Sequence, residues 1–62
     1  MKNEEKAMEY DRLIYESDKL QRINSKYKSE YAGNIPPNIQ KEIDDNNRKI
    51  SIIVSNLENL LR

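Results

Sequence analysis

The stretch that decides the fold lies near the middle of the chain and reads Gly33-Asn34-Ile35-Pro36-Pro37. It holds the single glycine and both prolines of the 62 residues. Glycine takes the left-handed conformation that ends many helices, and a proline cannot continue a helix but can begin one. The stretch therefore predicts a helix over about residues 3–32, a connector at 33–36 and a second helix over about residues 37–62.

The second predicted helix carries a regular apolar pattern. Positions 39, 43, 46, 50, 53, 57 and 60 alternate spacings of four and three, and all except Asn46 hold Ile or Leu. Such a heptad repeat is typical of coiled-coil-like packing. The first helix keeps this spacing at 10, 13, 17, 20, 24, 27 and 31, with Leu or Tyr at all except Ser17 and Asn24. We therefore expect each helix to bury one stripe.

A short connector makes the two helices antiparallel neighbours. Residues that face each other then have numbers with a nearly constant sum, and a sum near 70 pairs Leu20 with Ile50. The same sum places Asn24 opposite Asn46. A polar layer in an apolar seam fixes alignment and oligomer state, so we interpret this pair as a register layer.

The chain is too short to bury a large core by itself, and small domains are usually stabilised by disulfides, a metal or oligomerisation. With no cysteine or histidine, oligomerisation is the expected route. We predict an all-α, antiparallel hairpin that forms one domain over 1–62 and assembles into a homodimeric four-helix bundle or coiled coil. The predicted oligomer seam consists of Leu13, Leu20, Ile43, Ile50, Ile53, Val54, Leu57, Leu60 and Leu61.

The outer faces predicted for the helices are charged. Opposite charges four residues apart stabilise helices and mark solvated faces. Such pairs include Arg12–Glu16, Asp18–Arg22, Lys26–Glu30, Lys41–Asp45, Asp44–Arg48 and Asp45–Lys49.

The residue types needed for catalysis are poorly represented. There is no Cys or His to serve as nucleophile, base or usual zinc ligand, and no glycine-rich loop for phosphate. Positive and negative residues balance at 11 each, and no apolar run approaches a membrane span. We expect no enzyme activity, cofactor, metal, small-molecule substrate or membrane partner, and a cytoplasmic location.

The leading hypothesis is a protein–protein interaction module, such as an adaptor, assembly chaperone or inhibitor. Its partners would be a second copy and a heterologous protein. Met8, Tyr15 and Ile52 lie well away from the seams on a helical wheel, so they are the predicted partner surface.

An alternative hypothesis is an RNA-binding four-helix-bundle dimer that uses a basic stretch of the first helix. That stretch contains Lys19, Arg22, Lys26 and Lys28. Acidic residues interrupt it, so nucleic acid is the less expected partner.

Overall fold

The computed structural model describes residues 2–62, with side chains from residue 4 onward. Two helices, α1 (Lys2–Glu30) and α2 (Pro37–Leu60), pack against each other as an antiparallel hairpin. The hairpin measures 48 × 15 × 13 Å. The predicted all-helical hairpin is confirmed for this part of the chain. Neither helix, as described, has the length and apolar character needed to cross a membrane.

The connector begins earlier than predicted, because α1 ends at Glu30 rather than near residue 32. The Tyr31 amide still donates to the Tyr27 carbonyl at 2.9 Å, and the Asn34 amide donates to the Tyr31 carbonyl at 2.9 Å. Gly33 has a φ of +82°, in the left-handed region predicted for it. The residues just before Gly33 are drawn into the turn that Asn34 closes, which shortens the helix.

The second helix begins at residue 37, as predicted from the two prolines. Pro36 is extended, with φ −62° and ψ 151°, and Pro37 is the first helical residue. The Gln40 amide donates to the Pro36 carbonyl at 2.9 Å and closes the first turn. The helix ends at Leu60 rather than at residue 62, because Leu61 and Arg62 form a terminal turn.

The core between the helices is thin. Its buried apolar side chains are Leu13, Ile43 and Ile53, and Ile43 is the most deeply buried at 2% exposed. Ser17 and Asn24 are also buried, so two of the five buried positions among residues 4–62 are polar. A pair of helices shields one stripe of each, and the rest of the apolar surface stays partly in contact with water.

The outer faces carry ion pairs, as expected of solvated helices. Two of the six predicted pairs form, Arg12–Glu16 at 2.9 Å and Asp18–Arg22 at 2.8 Å. Arg12 also contacts Glu9, and the hydrogen bond to Glu9 is the main reason that the pKa of Arg12 is raised. The other four predicted pairs do not form within residues 4–62, where Asp45 pairs with Arg48 one turn away at 3.5 Å. Exposed pairs of this kind contribute little to stability.

Candidate functional site

A layer of amides joins the two helices near the middle of the hairpin. Asn46 Nδ2 donates to Asn24 Oδ1 at 2.9 Å, which is the contact expected from a residue sum of 70. Asn24 Nδ2 donates to Asn47 Oδ1 at 3.0 Å and lies 3.4 Å from the carbonyl oxygen of Ile43. Both polar atoms of Asn24 are therefore satisfied inside the hairpin. This arrangement suits alignment of the helices better than binding of a ligand.

Asn47 is a member of this layer that the sequence analysis missed. The residue numbers of Asn24 and Asn47 also have a sum close to 70. Asn47, however, lies one residue beyond the heptad stripe that contains Asn46. An antiparallel partner can reach two adjacent residues of a helix, since the seam has width as well as direction. The sum of residue numbers alone could have shown this contact.

The predicted oligomer seam divides into three groups by exposure. Leu13, Ile43 and Ile53 are buried within the hairpin, and Leu20, Ile50, Leu57 and Leu60 are half-buried. Val54 and Leu61 are 45% and 73% exposed, so the chain's own helices do not cover them. Their assignment to a seam between copies stays a prediction.

The predicted partner surface does not form one continuous site in the hairpin. Met8, Tyr15 and Ile52 are all more than half exposed. Tyr15 lines a shallow groove with Lys19 and Arg22, whereas Ile52 lines a separate one with residues of both helices. Met8 and Tyr15 are seven residues apart on one side of α1, and their role in binding a heterologous protein stays a prediction.

A second set of exposed apolar residues lies at the open end of the hairpin, away from the connector. A groove of about 410 Å³ there is lined by Ala7, Tyr10, Leu60 and Leu61 and by the charged side chains Lys6 and Asp11. Ile14 follows Ala7 by seven residues, and Val54 precedes Leu61 by seven, so each continues the same side of its helix. Tyr10 and Ile14 are 38% and 42% exposed. The sequence analysis assigned Tyr10 to the first helix's stripe and missed Ile14, which lies beside that stripe.

Tyr27 and Glu42 lie together at another groove, which Ile23, Asn46 and Lys49 also line. Hydrogen bonding to the Glu42 side chain is the main cause that raises the pKa of Tyr27 above its usual value. Partial burial of the phenol acts in the same direction. Tyr27 lies on α1 and Glu42 on α2, so the raised pKa of Tyr27 depends on the packing of the two helices.

We expect this link to appear at alkaline pH. The pKa of Tyr27 in the folded state is raised above the unfolded value of 10.0. The contribution of the protonated phenol to folding stability is therefore fully present below pH 10 and is lost as pH rises through the folded pKa. Urea unfolding at a series of pH values should show the wild type losing stability more steeply than Tyr27→Phe above pH 10. Parallel pH profiles for the two proteins would contradict the link, because the two proteins differ only in the Tyr27 hydroxyl.

The basic stretch of α1 does not form one surface. Lys19 and Lys28 are nine residues apart, which places them on opposite sides of the helix. Arg22, between them in sequence, pairs with Asp18. Lys26 lies on the same side of the helix as Lys19 and Arg22, within about 60°. Lys28 is therefore separate from the other three, and RNA binding stays an untested alternative.

Comparison with protein-family models, with curated proteins and with solved structures found no match to this chain.

Proposed function

We propose that this chain is a non-enzymatic protein–protein interaction module that self-associates through its helices, as a homodimeric four-helix bundle. In this role it would serve as a small adaptor, assembly chaperone or inhibitor. The observation that carries the proposal is the large surface that the isolated hairpin leaves accessible, compared with its mass.

The accessible surface of the hairpin is 5111 Å². A compact monomer of 7.4 kDa is expected to expose about 4,200 Å². The difference of roughly 900 Å² is close to the ~800 Å² that each partner contributes to a standard protein interface. Packing against one more copy would therefore bring the chain to the burial usual for its size.

The composition of the exposed surface also supports self-association. Four exposed side chains, Tyr10, Ile14, Val54 and Leu61, are apolar or aromatic and flank the helix–helix seam. Scattered apolar side chains are ordinary on protein surfaces, but a cluster beside a thin core is typical of an interface. The amide layer supports the same proposal, because polar residues in helical seams commonly select one oligomer.

Sedimentation equilibrium over a wide concentration range tests the proposal directly. We expect a dimer at micromolar concentration and a melting temperature that rises with protein concentration, since only the folded state dimerises. A monomer at every concentration up to millimolar, with a constant melting temperature, would overturn it.

A further inference from the structure

One side of the hairpin is nearly free of charge along its whole length. It is formed by positions 7, 10, 14, 17, 21, 24 and 28 of α1 and by positions 40, 43, 47, 50, 54, 57 and 61 of α2 or the turn that follows it. Lys28 is the only charged residue among them, although 35% of the chain is charged. These positions alternate spacings of three and four, so they form a second heptad stripe beside the one that joins the helices.

The apolar part of this side lies toward the open end of the hairpin. We call it the uncharged face and define it by Tyr10, Ile14, Ile50, Val54, Leu57 and Leu61. Ile50 and Leu57 are half-buried, and the other four are exposed. Toward the connector the same side carries amides, including the bonded pair Asn24 and Asn47. The side therefore changes from apolar to amide along its length.

The opposite side of the hairpin has a different character. Arg12 precedes Ile14 by two residues and Ile52 precedes Val54 by two, which turns each by about 200° around its helix. Arg12, Glu16 and Lys49 line one groove on this side together with apolar residues of both helices, including Ile52. Arg12 contacts Glu9 and Glu16 there. Ion-paired, solvated side chains occupy this side, and they would lose hydration if a partner covered them.

We propose that the uncharged face is the surface on which a second copy of this chain docks, a proposal that rests on the self-association proposed above. The whole side that contains the uncharged face measures 48 × 15 Å, and covering both its apolar and its amide part gives roughly the area that each partner contributes to a stable dimer. A second copy fits this face because its own uncharged face is apolar in the same places, as a two-fold interface requires.

The lengthwise change in polarity favours one arrangement of the two copies. With both connectors at the same end, the apolar part of one copy meets the apolar part of the other, and Asn24 lies level with Asn47 of the other copy. With the connectors at opposite ends, full overlap would put amides against Val54 and Leu61, and those amides would lose water without gaining partners. The favoured dimer has a two-fold axis along the hairpin, with α1 of each copy facing α2 of the other.

A pair of matched variants tests the face. Val54→Asp places a charge in the proposed interface of both copies, and we expect the dimer dissociation constant to rise at least about 100-fold. Ile52→Asp makes the same chemical change two residues away on the opposite side, where the dissociation constant should change by no more than about 3-fold. Circular dichroism should show the same helical content for both variants, because both positions are about half exposed.

The outcomes separate the two proposals. Equal dissociation constants for Val54→Asp and Ile52→Asp, or stronger weakening by Ile52→Asp, would overturn the uncharged face and leave self-association standing. A monomeric wild type would overturn both.

A mixture of two cysteine variants tests the arrangement. Tyr10 and Leu61 line the groove at the open end. If the connectors lie at the same end, Tyr10→Cys on one chain should form a disulfide with Leu61→Cys on another, subject to the usual Cβ separation. Absence of this mixed disulfide, in a mixture that sediments as a dimer, would overturn the shared orientation.

Discussion

Replacement of Ile43 by Asp should unfold the hairpin. Ile43 is 2% exposed and is the most completely buried side chain among the described residues. The variant loses the packing of an isoleucine and buries a carboxylate in its place, at a cost of at least about 4 kcal/mol. A chain of this length has a total stability of only about 3–9 kcal/mol. Circular dichroism in a urea series should show loss of the cooperative transition.

The control for this change is the same substitution at an exposed position of the same helix. Ile52→Asp removes an isoleucine that is 56% exposed, and its unfolding free energy should stay within about 0.5 kcal/mol of the wild type. If the two variants unfolded at similar urea concentrations, Ile43 could not be the centre of the core.

The second large effect concerns the amide layer. Asn24→Leu alone removes the acceptor of Asn46 and the donor to Asn47, and we expect a loss of about 1–3 kcal/mol. Asn24→Leu combined with Asn46→Ile replaces both groups with apolar ones, and this double variant should melt about 5–10 °C above the wild type. It should also populate more than one oligomer in sedimentation experiments, because the polar layer no longer favours a single alignment.

The opposite signs expected for the single and double variants make this experiment decisive. A double variant that melted below the wild type would show that the amides do more than align the helices. A double variant that stayed a single species would assign the alignment to other residues, such as Asn47.

Much of the fold could be predicted from a few residues. Gly33 and Pro37 act through backbone restrictions that do not depend on the rest of the chain, so the turn and the start of α2 were predictable. The contact between Asn24 and Asn46 was predictable because antiparallel helices on a short connector have a single register that matches both heptads. The end of α1 was less predictable, since helix ends depend on local turn geometry.

The candidate interface was harder to derive from the sequence. The two stripes of α2 share Ile43, Ile50 and Leu57 and differ by a rotation of only about 60°. Periodicity shows that α2 is apolar over a broad sector, but it does not show which edge faces the helix of its own chain. Packing decides that rotation, and it leaves Val54 outside and Ile53 inside. Ile14 becomes significant only when it is seen beside that exposed edge.

The short connector also determines the order in which the chain can acquire its native contacts. Asn24 and Asn46 are separated by 22 residues, whereas Leu13 and Ile53, which line one groove at the far side of that layer, are separated by 40. Once the contacts nearest the turn exist, each further layer closes only a small additional loop. Most of the loop-closure entropy is therefore lost when the first contacts form. Folding can therefore proceed layer by layer from the turn. The apolar open end would then be the last region to form and the first to separate.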